Sequence, residues 1–282
     1  MFRRLTLLAT ACLLAVSLTP AAHAAAAESY VALGDSAAAG PLIPNQVLPE
    51  LGCFRSDRNY AHLTSQNLGG SLKDVTCSGA KTRHMYESQE TDLGSMPPQL
   101  NALSSSTTLV TVHIGANDVG LTGFIEDCLN LLLPGDPCND DYQQNGRDSW
   151  RDATDALRPK IDQVIRDIRA RAPQARVYVV GYATYAPVNG CWPRVPVFKA
   201  DANYIRATIA YFNLMLAQQA AAQGVRFIDL QTPSEGHDPC KSSGTRWIEP
   251  YIPTTAATPF HPNALGMRNF ATIVTAAVRA AV

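Results

Sequence analysis

The sequence predicts an α/β fold in which helices flank a central parallel sheet. Short apolar runs alternate with longer segments of helical periodicity along the chain, as they do where helices connect parallel strands. The short runs are mostly apolar throughout, which is typical of strands buried on both faces. We predict strands at residues 30–33, 75–77, 109–114, 177–181 and 225–230.

Four further segments are predicted helices, at residues 60–68, 150–170, 201–223 and 263–282. In the second, apolar residues from Ala153 to Ile168 recur at helical spacing and therefore share one face. Pro159 interrupts this pattern, so we expect it to kink the helix or to mark its true start. Gly224 is a stop signal for the third helix.

The first 24 residues have the form of an export signal. Arg3 and Arg4 precede the apolar stretch 5–18, and residues 22–24 have the small-x-small pattern of a cleavage site. The apolar stretch is well short of the ~20 residues that a membrane helix needs, which argues against the alternative of an uncleaved anchor. We therefore predict cleavage near Ala24, secretion, and a single mature domain over residues 25–282.

The composition excludes several classes of function. The formal net charge is −1 and no block of Lys or Arg stands out, so we expect no nucleic-acid partner. No run after the export signal is apolar enough to span a bilayer. The sequence gives no reason to propose a metal or an organic cofactor, and we predict a monomer.

Six of the seven cysteines remain once the segment that contains Cys12 is removed. An even number in an exported chain predicts disulfides, although the count alone leaves the pairing open. A zinc site is the alternative, but no CxxC or short Cys/His spacing is present. The order along the chain favours three local pairs that flank loop-rich sequence: Cys53 with Cys77, Cys128 with Cys138, and Cys191 with Cys240.

Ser36 is the candidate nucleophile. It follows the predicted strand 30–33 and precedes small residues that begin a helix. Its hydroxyl would lie at the carboxyl end of a parallel strand, where ligands bind in open α/β sheets, and its N–H would lie at a helix N-terminus. The alternative is that Ser36 only caps the helix. We expect Asp35 to bind local N–H groups.

His261 is the candidate base, since a serine needs one in order to attack a carbonyl. It precedes Pro262 and Asn263 at a predicted junction of loop and helix, which would project the imidazole from the loop. The other histidines have no partner motif. Among them, His113 lies in a predicted strand, where we expect a buried, hydrogen-bonded ring.

Four segments together resemble sequence blocks of the GDSL or SGNH hydrolases. The first block ends in Gly34-Asp35-Ser36, and Cys77-Ser78-Gly79-Ala80 is similar to the second. Gly115-Ala116-Asn117-Asp118 is similar to the third, and His261 matches the histidine of the fifth. The blocks follow the family's order and span the mature chain. With six cysteines and an export signal, the chain looks most like the secreted bacterial lipases and esterases of this family.

The resemblance implies a three-layer sandwich, with a central parallel sheet flanked by helices, and a serine esterase activity. It implies that Ser36 and His261 are catalytic. It also implies an oxyanion hole formed by the N–H groups of Ser36 and Gly79 and the side chain of Asn117. Glycine at position 79 would allow a close approach to substrate in a turn of positive φ. The alternatives are an ordinary turn at Gly79 and a turn cap at Asn117.

One position departs from the family pattern. The family has an Asp three residues before the histidine, whereas this chain has Thr258, which cannot carry charge. We expect a backbone carbonyl, most simply that of Thr258, to orient the imidazole. The alternatives are that Asp238 or Glu249 reaches the ring, or that the enzyme is impaired.

The expected substrate is a carboxylic ester, and the resemblance favours acyl lipids. A carbohydrate deacetylase is the alternative among enzymes, and a secreted binding protein on an inactive scaffold is the alternative outside them. Apolar loop residues are candidates for a lipid-accepting cleft, although ordinary loop packing explains them equally well. They are Leu42, Ile43, Leu131, Leu132, Leu133, Trp192, Val195, Val197 and Phe198.

Overall fold

A computed structural model describes residues 27–48, 50–131 and 135–281. The predicted export signal and two of the candidate cleft residues, Leu132 and Leu133, lie outside these ranges. At the centre is a five-stranded parallel sheet in the order β2-β1-β5-β8-β9. Its strands are β1 (Ser29–Gly34), β2 (Ser71–Asp74), β5 (Leu109–His113), β8 (Arg176–Val180) and β9 (Arg226–Ile228). Two small antiparallel hairpins pair β3 (Gln89–Thr91) with β4 (Gly94–Met96) and β6 (Gln143–Gln144) with β7 (Arg147–Asp148).

Helices cover the two faces of this sheet. They are α1 (Ser36–Ala39), α2 (Tyr60–Leu68), α3 (Leu121–Asp127), α4 (Asn139–Tyr142), α5 (Ser149–Arg171), α6 (Lys199–Ala222) and α7 (Ala264–Arg279). Helix α2 packs against α7 and α5 packs against α6, so one pair forms each outer layer. The predicted three-layer α/β sandwich is thereby confirmed. None of the helices within the described ranges is long and apolar enough to cross a bilayer.

The central strands form where the sequence is apolar on both faces. Strands β1, β5 and β8 are buried along nearly their whole length because helices cover them from both sides. The edge strand β2 instead alternates between exposed and partly buried residues. The prediction of a strand at residues 75–77 is therefore wrong, since β2 ends at Asp74 and that apolar segment follows it.

The four long helices lie where the periodicity predicts them, with ends shifted by a few residues. Helix α5 continues through Pro159, so this residue does not mark its start. The start is set by Asp148, whose carboxylate accepts a hydrogen bond of 3.0 Å from the N–H of Arg151. The last helix ends at Arg279, before the predicted limit of 282.

Three disulfides join the predicted cysteine pairs. Cys53 binds Cys77, Cys128 binds Cys138, and Cys191 binds Cys240, with Cα–Cα distances of 4.2, 4.9 and 5.8 Å. Two of these bonds join loops that follow different strands of the sheet, and the third closes the loop after α3. The first two therefore brace loops that begin at the carboxyl edge of the sheet, and the third joins the end of α3 to the start of α4.

Candidate active site

Ser36 lies immediately beyond the carboxyl end of β1, as the first residue of α1. The preceding Gly34 is packed so tightly against β5 that a Cβ there would lie 2.7 Å from the carbonyl oxygen of His113. Gln99 also forms two hydrogen bonds with Gly34. Its side chain accepts from the Gly34 N–H at 2.8 Å and donates to the Gly34 carbonyl at 2.9 Å. Contacts with β5 and with Gln99 therefore fix the end of β1, two residues before Ser36.

Asp35 fixes the first turn of α1. Its buried carboxylate accepts hydrogen bonds from the N–H of Ala37 at 2.9 Å and from the hydroxyl of Tyr182 at 2.5 Å. The Tyr182 hydroxyl in turn accepts from the N–H of Ala116 at 3.1 Å. Burial raises the pKa of Asp35 to about 7, although these hydrogen bonds oppose the rise. Asp35 binds local N–H groups as predicted, and it also links the Ser36 turn to the segment after β5.

His261 lies within hydrogen-bond reach of Ser36. Its Nε2 is 2.8 Å from the Ser36 Oγ, although 225 positions separate the two residues in the chain. Burial lowers the pKa of the imidazole, while a hydrogen bond to the carbonyl of Pro259 partly opposes this shift. Burial therefore favours the neutral form of the ring.

The carbonyl that contacts the second ring nitrogen belongs to Pro259, at 2.7 Å from Nδ1. The prediction that the Thr258 carbonyl orients the ring is therefore wrong. The Thr258 carbonyl instead accepts a hydrogen bond of 3.2 Å from the backbone N–H of His261. Phe260 has a φ of +54°, in the left-handed region. This torsion turns the peptide bond between Pro259 and Phe260 so that the Pro259 carbonyl faces the imidazole. Because a carbonyl only accepts, Nδ1 carries the proton and Nε2 is left as an acceptor for the Ser36 hydroxyl.

Neither carboxylate proposed as an alternative reaches the imidazole. Asp238 accepts a hydrogen bond of 2.9 Å from the N–H of Cys240. Glu249 is fully buried, and it pairs with Arg246 at 3.1 Å and accepts from the Asn263 side chain at 2.7 Å. It supports His261 through the backbone, since its N–H donates to the His261 carbonyl at 3.0 Å and its carbonyl accepts from the Phe260 N–H at 3.1 Å.

The Gly79 turn lies after β2 and has a φ of +77°, which glycine adopts readily. The Gln89 side chain donates to the Ser78 carbonyl at 2.7 Å, and the Ser78 N–H donates to the Cys53 carbonyl at 3.0 Å. Asn117, after β5, donates one amide hydrogen to the Ala80 carbonyl at 2.9 Å, which leaves its second amide hydrogen available. Within the described part of the chain, the N–H groups of Ser36 and Gly79 have no hydrogen-bond acceptor.

Several supporting residues were not found from the sequence. Tyr182 lies two residues beyond the end of β8, and its position near a strand end is a signal that would have singled it out. Gln99 and Gln89 carry no comparable local signal. His113 is buried as predicted, but neither ring nitrogen has a hydrogen-bond partner within the described residues, and burial lowers its pKa to about 3. Its ring packs edge-on against Tyr182, with centroids 4.5 Å apart, so the prediction of a hydrogen-bonded histidine is wrong.

Comparison with known proteins places this geometry in a family. The model of the GDSL-like Lipase/Acylhydrolase family matches residues 32–268. Lipase 2 of Streptomyces coelicolor is 37% identical over 276 residues, which cover 92% of this chain and 90% of that protein. The crystal structure of an extracellular lipase from Streptomyces rimosus has a TM-score of 0.74 and 29% identity, and it covers 89% of this chain and 100% of its own. A phospholipase A1 from Streptomyces albidoflavus has a TM-score of 0.72 and 26% identity, with coverage of 90% and 99%.

The fold, the site and these relatives define the class of protein as a carboxylic ester hydrolase. The alternative of a binding protein on an inactive scaffold is thereby set aside. The chain belongs to the GDSL-like lipase/acylhydrolase family, because the family model covers most of its length. The resemblance seen in four short segments is confirmed.

Proposed function

We propose that this protein is a secreted esterase or lipase that cleaves acyl esters through an acyl-serine intermediate, with Ser36 and His261 as a catalytic dyad. The observation that carries the proposal is the distance of 2.8 Å between the Ser36 Oγ and the His261 Nε2. A nucleophile and a base at this separation are in position for proton transfer.

In the first half-reaction, Nε2 takes the Ser36 proton while Oγ attacks the ester carbonyl. The resulting imidazolium then gives this proton to the leaving alcohol, and an acyl-serine remains. In the second half-reaction, His261 takes a proton from a water that attacks the acyl-serine, and it gives this proton to the Ser36 Oγ as the acid leaves. The proton that the serine lost to the alcohol is thereby replaced by one from water, and the dyad ends in its starting state.

Three hydrogen-bond donors are proposed to stabilise the negative oxygen that forms in each half-reaction. The N–H groups of Ser36 and Gly79 are free of protein acceptors in the described ranges, and Asn117 has one uncommitted amide hydrogen. The hydrogen bonds at Ser78 and Ala80 hold the last two donors in place before substrate arrives. Donors fixed in advance stabilise developing charge without the cost of reorganisation.

The Pro259 carbonyl is proposed to take over the orienting role of the missing triad acid. It fixes the tautomer of His261, but it supplies less charge to stabilise an imidazolium than a carboxylate does. The buried Glu249 holds the turn on which this contact depends. The dyad is therefore expected to work, although more slowly than a triad with an ionised acid.

The names of similar proteins and the cysteines of this chain support a proposal for the substrate and the location. One similar structure is called an extracellular lipase, another a phospholipase A1, and three disulfides indicate an oxidising compartment. We therefore propose acyl-lipid-type esters as substrates, export with cleavage near Ala24, and action as a monomer.

Replacing the proposed nucleophile tests the mechanism. Ser36→Ala should abolish hydrolysis of p-nitrophenyl butyrate and labelling by a fluorophosphonate probe, while the unfolding midpoint stays near that of the parent. Ser105→Ala, at an exposed loop serine, is the matched control and should retain both activities. Full activity in the Ser36→Ala variant would refute the assignment. A preference for acetyl over octanoyl esters in the parent would instead favour the deacetylase.

A further inference from the structure

Tyr182 contacts the two turns that carry two of the proposed oxyanion donors. Its hydroxyl donates to the Asp35 carboxylate at 2.5 Å and accepts from the Ala116 N–H at 3.1 Å. Asp35 directly precedes Ser36 in the chain, as the residue that caps α1. Ala116 directly precedes Asn117. One hydroxyl group therefore joins the turn that holds the Ser36 N–H to the turn that holds the Asn117 side chain.

The direction of these hydrogen bonds follows from the groups that form them. A backbone N–H can only donate, so Tyr182 accepts from Ala116 and its own proton points to Asp35. The other oxygen of Asp35 accepts from the Ala37 N–H at 2.9 Å, so both oxygens act as acceptors. Burial raises the pKa of Asp35, and the Tyr182 hydrogen bond is the largest influence that opposes this rise. The hydroxyl therefore favours the carboxylate, which is the form that accepts on both sides.

The ring and the backbone of Tyr182 are held by other parts of the chain. The residue is 1% exposed, and its ring packs edge-on against His113. Asn213 of α6 accepts from the Tyr182 N–H and donates to the Tyr182 carbonyl, both at 2.8 Å. Phe212 of the same helix packs beside the ring, with centroids 5.3 Å apart. The hydroxyl therefore projects from a packed support that belongs to neither of the turns that it joins.

The sheet leaves part of this geometry open. The Asp35 N–H donates to the His113 carbonyl at 2.9 Å, and this hydrogen bond joins the ends of β1 and β5. The chain then leaves β5 through Gly115, whose φ of +120° lies outside the range of a strand. Beyond that point the Tyr182 hydroxyl, and not the sheet, holds the Ala116 N–H.

We propose that Tyr182 is a positioning residue that sets the spacing between the Ser36 N–H and the Asn117 amide in the oxyanion hole. The proposal rests on the esterase function proposed above and adds a residue that is itself too buried to touch substrate. The negative oxygen forms only on the way through the transition states, so the spacing of its donors should affect kcat and leave KM nearly unchanged.

The test is Tyr182→Phe, which keeps the ring and removes the hydroxyl. The assay is run at pH 8, which lies above the pKa of about 7 to which burial raises Asp35. The kcat for p-nitrophenyl butyrate should fall by about 10–10²-fold, with KM within about twofold of the parent value. The matched control is Tyr30→Phe, which removes a buried hydroxyl 2.7 Å from that of Thr111, near the other end of β1. The control should lower the urea midpoint, because it loses a buried hydrogen bond, but its kcat should equal that of the parent.

A double-mutant cycle separates positioning from a loss of packing. In an Asn117→Ala background the donor on that side is gone, so its position no longer matters. The fall in kcat that Tyr182→Phe causes should therefore be at least about threefold smaller in that background than in the parent. An equal fall in both backgrounds overturns the proposal, and so does a fall in Tyr182→Phe no larger than in Tyr30→Phe.

Asp35→Asn carries the test if Tyr182→Phe does not fold. The amide keeps the shape of the side chain but offers one oxygen in place of two, so the contacts with Tyr182 and Ala37 cannot both be kept. This variant should also lower kcat with KM nearly unchanged, and by a smaller factor beside Asn117→Ala. An unchanged kcat overturns the proposal. Failure of the esterase function itself would appear separately, as an absence of p-nitrophenyl butyrate turnover in the parent protein.

Discussion

Replacing Glu249 with alanine removes the acceptor at the centre of the loop that carries His261. The carboxylate is fully buried and accepts from Arg246, from the Asn263 side chain, from the Thr254 N–H at 2.9 Å and from the Thr255 hydroxyl at 2.8 Å. The alanine variant leaves Arg246, which is only 5% exposed, as an uncompensated buried charge. Removing one member of a buried pair costs about 3–5 kcal/mol of unfolding free energy.

Urea unfolding at pH 7, with the disulfides intact, measures this loss. The matched control is Glu235→Ala, which breaks an ion pair between Arg206 and a glutamate that is 43% exposed and should cost at most ~1 kcal/mol. A loss in Glu249→Ala no larger than in this control would refute the reasoning that the pair stabilises the loop. The double variant Arg246→Met/Glu249→Leu should recover only part of the stability, because neither buried charge remains but the donors at Asn263, Thr254 and Thr255 lose their acceptor.

The same network predicts a dependence on pH. Burial raises the pKa of Glu249, but the hydrogen bonds from Asn263, Thr254, Arg246 and Thr255 outweigh it, so the pKa lies below its ordinary value of 4.5. An acid with a lowered folded pKa contributes stability above its unfolded pKa, and this contribution is lost as the pH falls through the folded value. The stability gap between the parent and Glu249→Ala should therefore narrow below pH 4.5. A gap that widens on acidification would contradict this assignment.

Two further predictions concern catalysis. Burial lowers the pKa of His261, so the acid limb of the pH profile of kcat/KM should have its midpoint below pH 6.5. A midpoint above that value would show that the base is a different or differently placed group. Asn117→Ala should lower kcat for p-nitrophenyl butyrate by about 10²–10³-fold, with an unchanged unfolding midpoint. The control Asn101→Ala, at an exposed asparagine, should have no effect. An equal kcat in the two variants would show that Asn117 is not part of the oxyanion hole.

The parts of the site that the sequence predicts are those with a local signal. Ser36 and His261 each lie at a boundary between a predicted loop or strand and a helix, so topology alone brings them to one edge of the sheet. The orienting carbonyl was wrongly predicted because the choice between Thr258 and Pro259 depends on one backbone torsion, the positive φ of Phe260. No residue pattern indicates that torsion at a phenylalanine.

Long-range side-chain contacts are the other feature that the sequence does not reveal. Gln99 binds Gly34 although 65 positions separate the two residues, and the sequence around Gln99 gives no sign of this hydrogen bond. Strand β2 was misplaced for a related reason, because an edge strand exposed on one side has no continuous apolar run to reveal it. The order of the cysteines did predict the disulfides, since each cysteine pairs with its neighbour among the six, at separations of 24, 10 and 49 residues.

The three disulfides give the two ends of the molecule different requirements for assembly. The sheet and its helices are held by apolar packing, which forms in any aqueous compartment. The loops at the other end are also cross-linked by three disulfides, whose formation requires the oxidation of six thiols. For a protein exported as proposed above, these cross-links form after export, because the cytoplasm keeps thiols reduced.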